Sequence, residues 1–600
     1  MAPNDVSNEI SIIGMGMRLP GGVTTKEAFW DLLCQPEPAI RQVPEGRGWT
    51  AAEYVCKEGK VGCTVTDRAG WVDDVDRFDP AAFKISPKEA AEMDPQQRLT
   101  LECSYEALLD AYVNPTSLAG TNTGVFVGAG IAEYMAMAFS DPNNMTMHTM
   151  SGNSLAVIAN RVSNIWDLRG PSLTTDTACS SAMTALHLGV QALKTGDCDI
   201  TIVVGVNSLL GPSPFIGFTQ AQMLSPTGTS RPFDQNANGF VRGEGCCVLV
   251  LKRTADIVAS DPGRIYAYVP GSGINEGGKT KSLTMPFEAP SIVRSTLGSR
   301  SQVAVGSAKG HVGHLETAAG IISVMKATLI LYNNKTPPTA GFTKLSDNIE
   351  NTIRIPTSVE DLPMPASGNA PCTSINSYGF GGSNGYAILA QAPKAEPKAA
   401  SPQPTVLALS SHFANGVEKS EKSWKALTVA PEGVAIGAAV STACRPPQRY
   451  RKVLIAEPGA PLTKAQSVAG PAVLFASGGQ GSQYAEMGCA LFDHFPVFRR
   501  TIDELCAEYK QLSTIDLQKE HGFCQRDIPE ENLGSVMVSV PATVFLQCAL
   551  VELLTEACSF QQRPQLVTAL AKSLQPTPRD ASTRPLWSQS PTRVRLPRAP

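Results

Sequence analysis

The segment GPSLTTDTACSS, residues 170–181, decides both the fold and the chemistry of this chain. Its small residues form a predicted turn that delivers Cys179 to the first turn of an amphipathic helix, predicted over residues 182–194. A helix start offers unpaired N–H groups and about half a unit of positive charge, and both favour a thiolate. Cys179 is therefore a candidate nucleophile toward acyl carbonyls, whereas most other cysteines are expected to be small buried hydrophobes.

Composition excludes several classes of protein. The 600 residues are enough for several domains, and the net charge of -4 gives no reason to expect nucleic-acid binding. The first ten residues lack a basic segment and an apolar core, and the most apolar run, residues 200–218, is interrupted by glycine and proline. Neither a secretory signal nor a membrane span is therefore expected. Fifteen cysteines without paired spacing predict reduced thiols in a cytoplasmic protein without a metal site.

Strand-like and helix-like runs alternate along the chain, which favours a layered α/β fold. Strands are predicted at residues 10–13, 125–127, 200–206, 247–251, 303–305 and 386–389, and helices at 182–194 and 318–331. The stretch APKAEPKAASPQ, residues 392–403, is typical of a linker, and a weakly patterned region follows to about residue 470.

Six motifs follow one another in a fixed order around Cys179. Besides TACSS, they are SIIGMGMRLPGG (11–22), DPQQR (94–98), the run from MLSPTGTSRPFD to GFVRGEG (223–245), KGHVGHLE (309–316) and NSYGFGGSN (376–384). Together they resemble the β-ketoacyl synthase domain of modular type I polyketide synthases, over residues 8 to about 392. The later segment GGQGSQYAEMG, residues 478–488, resembles the opening of the acyltransferase domain that follows in such synthases.

This resemblance implies an architecture. The fold would be the thiolase-like five-layer α/β/α/β/α sandwich, followed by an incomplete α/β acyltransferase fragment and a disordered tail. The implied domains are the ketosynthase N-terminal half (8–255), its C-terminal half (256–392), a linker region (393–470), a partial acyltransferase (471–557) and the tail (558–600). Members of the family are usually homodimers.

The resemblance also implies roles for individual residues. Cys179 would take an acyl chain from a carrier-protein thioester and pass it to the carbanion of a decarboxylated malonyl thioester. The oxyanion hole would be made by the N–H of Cys179 and an amide of the glycine-rich loop. His314 matches one of two catalytic histidines. The other implied site residues are Lys309 and Glu316, a charged pair that supports His314, the loop Gly379, Phe380, Gly381 and Gly382, and Gln480, the acyltransferase oxyanion-hole glutamine.

No bound cofactor is implied. The substrates would be acyl and malonyl thioesters carried on phosphopantetheine, supplied by an acyl carrier protein in trans.

The second catalytic histidine of the family has no counterpart in this chain. The family places it in an EAHGTGT segment between the GFVRGEG strand and the GHLE loop, but residues 291–310 run directly from a helix-like stretch to the strand before GHLE, as if a segment near 295–302 were deleted. His311 lies three residues from His314 and is a conceivable substitute. The two family histidines converge from separate loops, however, and a misplacement of about 1 Å can cost on the order of a hundredfold in rate.

The acyltransferase match stops before its serine nucleophile. Residues 565–582 are rich in Pro, Arg, Ser and Thr and have no helical or strand period. Codons can nevertheless be chosen for residues 567–580 so that the frame one base earlier encodes GHSFGEIAAAYAAG, the missing nucleophile segment. The tail is therefore interpreted as out-of-frame synthase sequence, with the shift between about residues 555 and 566.

Two functions remain open from sequence alone. The first is an impaired ketosynthase that performs decarboxylative Claisen condensation in polyketide biosynthesis. The second is a catalytically inactive remnant that at most dimerises or binds an acyl group. Motif identity favours membership of the family, whereas the missing histidine bears on present activity.

Overall fold

The computed structural model describes most of the first 393 residues and parts of the remainder. The described residues are 9–56, 58–257, 265–279, 303–349, 353–365, 369–393, 405–411, 414–426, 450–456, 464–469, 488–513, 515–521, 523–524 and 536–558. Gln480, the site of the inferred deletion near 295–302 and the tail after residue 558 lie outside these residues.

The regular elements alternate along the chain as the sequence pattern predicts. The strands are β1 Ile10–Arg18, β2 Thr123–Gly128, β3 Ser172–Thr175, β4 Ile200–Asn207, β5 Gly245–Arg253, β6 Ala267–Glu276, β7 Val303–Ala304, β8 Lys335–Thr336, β9 Ile353–Arg354, β10 Glu360–Asp361, β11 Cys372–Tyr378, β12 Ser383–Gln391, β13 Thr405–Ser411, β14 Tyr450–Ala456 and β15 Lys464–Ala469. The helices are α1 Lys26–Cys34, α2 Ala51–Tyr54, α3 Pro87–Glu92, α4 Pro95–Asp110, α5 Glu133–Ala138, α6 Thr149–Asn153, α7 Leu155–Trp166, α8 Ser181–Thr195, α9 Ser213–Gln220, α10 Lys309–Val312, α11 Ala319–Asn333, α12 Ala414–Ala426, α13 Cys489–His494, α14 Pro496–Ser513 and α15 Val536–Cys558.

Eight strands form one mixed sheet in the order β11-β12-β6-β1-β5-β4-β2-β3. β2 is parallel to both β3 and β4, and the other neighbours are antiparallel. Only three residue pairs, from Ile10↔Val269 to Ile12↔Ala267, join β1 to β6. The sheet therefore consists of two halves, β3-β2-β4-β5-β1 and β6-β12-β11, that meet at a short seam.

Helices α8 and α11 lie between the two halves. Their buried apolar residues share one core with inward side chains of both halves, including Val203 of β4 and Leu389 of β12. A second core lies on the other face of the first half, where α4 and α7 cover it. The outer face of the second half carries the exposed side chains Ile274, Tyr386 and Ile388. The described residues thus comprise four layers of the thiolase-like α/β fold: helices, sheet, helices, sheet.

Four elements pack so closely against the start of α8 that there is no room for a side chain at the contact. Glycines allow this approach, because a Cβ added to any of them would lie under 3.0 Å from Ala182 or Met183. These glycines are Gly128 of β2, Gly205 of β4, Gly320 of α11 and Gly385 of β12. The residues immediately after Cys179 are therefore fixed by both halves of the sheet and by the neighbouring central helix.

Residues 405–469 contain regular structure where the sequence pattern predicts a linker. β13, β14 and β15 form an antiparallel three-stranded sheet, and α12 follows β13 in the chain. The chain forms two compact units with the boundary after Gly470, where the sequence predicts that the acyltransferase segment begins. In the second unit α14 and α15 pack around Phe498, Ile502 and Phe545. No helix among the described residues is long and apolar enough to cross a membrane.

The close approach at α8 makes Gly128→Ala destabilising. The added methyl group would push the first turn of α8 away from β2, and overpacking of this kind typically costs about 1–3 kcal/mol. Gly271→Ala on β6 is the matched control, because nothing lies within 4 Å of its Cβ. Denaturant unfolding of both variants measures the difference. Equal stability of the two variants would contradict the packing described for α8.

Candidate active site

Cys179 lies at a strained turn between β3 and α8. Ala178, directly before it, has φ +54, in the left-handed region that non-glycine residues rarely adopt. Two side chains hold this turn: Asp176 Oδ1 accepts the Ala178 N–H at 2.9 Å, and Ser181 Oγ accepts the Thr177 N–H at 2.8 Å. α8 begins at Ser181 with Ser180 as its N-cap. The sequence predicts Cys179 in the first turn of the helix. In the structure Cys179 instead lies just before the helix begins.

The glycine-rich loop between β11 and β12 closes over this turn. Gly379 approaches so closely that an added Cβ would lie 2.5 Å from the Thr177 carbonyl oxygen, and Ser377 Oγ donates to the Cys179 carbonyl oxygen at 2.8 Å. Gly382, with φ +103, completes the hairpin. The N–H groups of Phe380 and of Cys179 itself both hydrogen-bond the Cys179 thiol. Two backbone donors from separate loops thus converge at the Cys179 thiol.

Burial outweighs the helix start in setting the protonation of Cys179. Burial, with a smaller contribution from Glu316, raises the pKa of the thiol to about 11, although Lys309 and the two N–H groups lower it. The sequence argument predicts the opposite direction, because it considers only the helix end. The Lys309 ammonium group partly offsets this rise in the pKa of Cys179. Burial lowers the pKa of Lys309 itself.

His314 is held in one tautomer. The Glu316 N–H donates to His314 Nδ1 at 3.0 Å, so in the neutral ring the proton resides on Nε2. Burial, aided by Lys309 and Arg242, lowers the pKa of His314 well below its ordinary value, which keeps the ring neutral. The Phe240 ring packs edge-on against it, with centroids 5.1 Å apart. His314 is therefore arranged as a neutral hydrogen-bond donor through Nε2–H.

Glu316 pairs with Arg242 and not with Lys309. Arg242 Nε lies 2.6 Å from Glu316 Oε1, and its Nη2 lies 3.1 Å from Oε2. The fully buried guanidinium also reaches Glu133 Oε1 at 3.5 Å and lies over the Phe215 ring at 4.6 Å. Within the described residues no ion pair joins Lys309 to Glu316, so the predicted charged pair is replaced by this buried network. Lys309 instead faces Cys179 and His314.

Sequence reasoning missed Arg242 and Glu133 as members of this network. Arg242 lies in the quoted motif GFVRGEG, and it is 74 residues from Glu316 in the chain. The available signal was an arginine that directly follows the apolar pair Phe240 and Val241 in a glycine-flanked segment, since a buried guanidinium requires a carboxylate partner.

Two other described histidines, His311 and His187, are engaged elsewhere. His311 Nε2–H donates to the Gln35 carbonyl oxygen at 3.0 Å, and burial lowers the pKa of this ring to about 4. His187 Nδ1 contacts Ser272 Oγ at 3.0 Å. His311 is thus turned toward the end of α1, which argues against it as a substitute for the second catalytic histidine. Among the described residues, no group of three or more His, Cys, Asp or Glu side chains is placed to hold a metal ion.

Profiles of known domains match three stretches of the chain. Residues 7–256 match the β-ketoacyl synthase N-terminal domain, and residues 273–343 match the β-ketoacyl synthase C-terminal domain. Residues 347–455 match the ketoacyl-synthetase C-terminal extension. The first match contains Cys179 and the second contains His314.

Similar proteins of known function are components of polyketide synthases. The chain is 34% identical over 637 residues to one phenolphthiocerol/phthiocerol polyketide synthase protein of Mycobacterium tuberculosis, and the match covers 94% of this chain and 33% of that protein. A second protein of the same synthase and organism is 33% identical over 605 residues, covering 88% and 27%. The chain thus spans about a third of the length of these relatives. The aligned 637 residues exceed the 600 of this chain, so the first relative has segments without a counterpart here.

Solved structures agree in fold. The oxazolomycin ketosynthase domain from Streptomyces albus superimposes with a TM-score of 0.69 at 26% identity, covering 75% of this chain and 86% of that domain. The ketosynthase from module 6 of the bacillaene synthase of Bacillus subtilis gives a TM-score of 0.65 at 29% identity, covering 75% and 82%.

Replacing Lys309 should slow the reaction of Cys179 with electrophiles. In Lys309→Met the cation that lowers the pKa of the Cys179 thiol is absent, so this pKa rises further. At any pH below the pKa, the thiolate fraction falls about tenfold for each unit by which the pKa rises. Alkylation by iodoacetamide, followed across pH 7 to 10, should be slower throughout and displaced to higher pH. Lys194→Met, at the far end of α8, is the control. A Lys309→Met profile that coincides with the unmodified protein's would contradict this electrostatic role.

Proposed function

Because the chain belongs to the β-ketoacyl synthases, as the ketosynthase domain of a type I polyketide synthase, we propose that Cys179 carries the growing acyl chain during polyketide assembly. The convergence of the Phe380 and Cys179 N–H groups at the thiol carries this proposal. An oxyanion formed at a carbonyl bonded to that sulfur would meet both donors. The catalytic role of Cys179 and the oxyanion-hole role of the loop rest on this geometry.

Acylation proceeds by exchange of one thioester for another. The Cys179 thiolate attacks the carbonyl carbon of an acyl group on phosphopantetheine, and the tetrahedral oxyanion collapses with loss of the pantetheine thiolate, which takes up a proton. Because burial raises the pKa of Cys179 to about 11, little thiolate exists at neutral pH, and the ammonium group of Lys309 stabilises what forms. An acyl carrier protein in trans is the proposed donor.

Condensation requires a carbanion from malonyl thioester. Its carbon–carbon bond breaks, carbon dioxide leaves, and the electron pair passes to the enolate, which attacks the acyl carbonyl on Cys179 and expels the thiolate. His314 Nε2–H is the proposed donor to the enolate oxygen, since its Nδ1 already accepts from Glu316. Arg242 acts on this step through Glu316 and is a positioning residue.

The single histidine favours a second candidate function, an acyl-binding module with weak condensation. Two further described histidines of the first unit, His311 and His187, are bonded to Gln35 and Ser272. Acylation uses the backbone donors and is retained, whereas decarboxylation has one enolate donor in place of two. We propose a domain that loads an acyl chain well and condenses it poorly.

A homodimer is proposed from the edge of the sheet. β3 is the terminal strand, so its outer edge has no neighbour in the described chain, and Leu173 on it is partly exposed. Large exposed side chains occur nearby in the chain after β2, namely Met137, Met145, Met147 and Met150. An unpaired strand edge together with exposed methionines is typical of a surface that a second copy covers.

Acyl labelling tests the nucleophile directly. Incubation of the full chain with a small acyl thioester at pH 8 should acylate Cys179 alone, because two backbone donors converge at this thiol. Peptide mapping locates the label. Cys179→Ala should lose it, and Cys372→Ser, which removes an exposed thiol on β11, should retain it. Labelling that persists unchanged in Cys179→Ala refutes the assignment.

Restoring a second histidine should raise decarboxylation. Insertion of a family-like HGTGT segment within residues 295–302 is expected to increase carbon dioxide release from malonyl thioester at least tenfold, since one positioned donor typically contributes on the order of a hundredfold. The matched control carries AGTGT at the same place. If the two insertions release carbon dioxide equally while Cys179 still acylates, the missing histidine is not the limiting feature.

A further inference from the structure

Two thiols outside the active site lie side by side at the base of a surface loop. An isolated bridge joins Val55 to Thr64, the Cys56 N–H donates to the Thr64 carbonyl oxygen at 2.9 Å, and the Thr64 N–H donates to the Tyr54 carbonyl oxygen at 2.8 Å. These bonds bring Cys56 and Cys63 to the same end of the loop. The Cys63 thiol lies within interaction range of the Cys56 thiol.

Access distinguishes this pair from another pair of neighbouring thiols. Cys56 and Cys63 are both partly exposed free thiols. Cys103 and Cys246 also contact each other, but both are fully buried in the core under α4. Among the described thiols, Cys56 and Cys63 are thus neighbours that a dissolved oxidant can reach, whereas Cys103 and Cys246 are neighbours that it cannot reach.

We propose that Cys56 and Cys63 are a redox site that closes to a reversible disulfide when the protein meets hydrogen peroxide. One thiolate attacks a peroxide oxygen, which forms a sulfenic acid and releases water after proton uptake. The second thiolate then attacks the sulfenic sulfur and expels a second water. Overall two thiols lose two electrons and two protons, and one peroxide becomes two waters. A dithiol returns both cysteines to the reduced form by exchange.

Hydrogen bonds with α9 hold the loop that carries the pair. The Gln220 side-chain amide donates to the carbonyl oxygens of Gly59 and Lys60, both at 3.1 Å, and the Val65 N–H donates to Thr219 Oγ1 at 3.2 Å. α9 thereby holds both arms of the loop while the thiols are free. No chemistry at Cys179 is required, so the redox site is independent of the proposed condensation.

The charges around the loop set the pH at which closure is fast. The contact with Cys56, and to a smaller extent burial and Glu58, raises the pKa of Cys63, while Lys60 lowers it. Glu58 and Lys60 form an exposed pair at 2.9 Å. Because the thiolate is the reacting form, closure is faster at pH 8.5 than at pH 7.

Peptide mapping after oxidation tests the site. The full chain is treated with hydrogen peroxide at pH 8, unfolded in iodoacetamide and digested with trypsin. Cleavage after Lys57 and Lys60 separates the two cysteines, so the disulfide appears as GWTAAEYVCK linked to VGCTVTDR. We expect this linked pair to be at least tenfold more abundant than any link between Cys103 and Cys246, and to vanish after treatment with dithiothreitol.

Controls make both outcomes decisive. Cys56→Ser should eliminate the linked peptides while Cys103 and Cys246 remain alkylated. Cys372, an exposed thiol, reports whether peroxide has reached the surface. If Cys372 is oxidised while Cys56 and Cys63 both carry the alkyl group, or if either of them links to a third cysteine, the proposal is wrong. Acylation of Cys179 in the reduced chain is measured separately, so failure here leaves the proposed function untouched.

Discussion

The structure depends on the contact between four glycine backbones and the first turn of α8. Strands from both halves of the sheet and the neighbouring central helix all approach Ala182 or Met183, so that any added Cβ would lie under 3.0 Å away. This packing fixes the polypeptide directly after Cys179. The backbone of Ala178 is therefore held in its strained, left-handed conformation. The nucleophile is thus positioned by the centre of the fold, and the loop of Phe380 needs only to close over it.

The groups around Cys179 suit the proposed acyl transfer better than the proposed condensation. Backbone donors, the Lys309 cation and the strained turn are all present around Cys179, where the proposed acyl transfer would use them. His314 is held as a neutral donor by Glu316, which the buried Arg242 holds in turn. Truncation of one member of such a buried pair typically costs about 3–5 kcal/mol. We therefore propose that condensation, which in the family uses a second histidine, is the weaker of the two steps in this chain.

Sequence patterns located the elements with strong local signals. β4, predicted at 200–206, forms as Ile200–Asn207 because its run is almost entirely apolar and buried. β6 escaped prediction because AYVPGSGINE contains a proline and two glycines, and its pairing with β12 is distant in the chain. The pKa of Cys179 and the partner of Glu316 could not be predicted either, since both depend on burial and on contacts between residues far apart in sequence.

The central claim is that the acyl-accepting half of the site is intact and the decarboxylating half is not. The direct measurement follows one sample of the unmodified full chain with an acyl thioester and carboxyl-labelled malonyl thioester, recording the acyl-enzyme by intact mass and labelled carbon dioxide together. The account predicts nearly stoichiometric acyl-Cys179 and carbon dioxide release far slower than acylation. Release that keeps pace with acylation would contradict it.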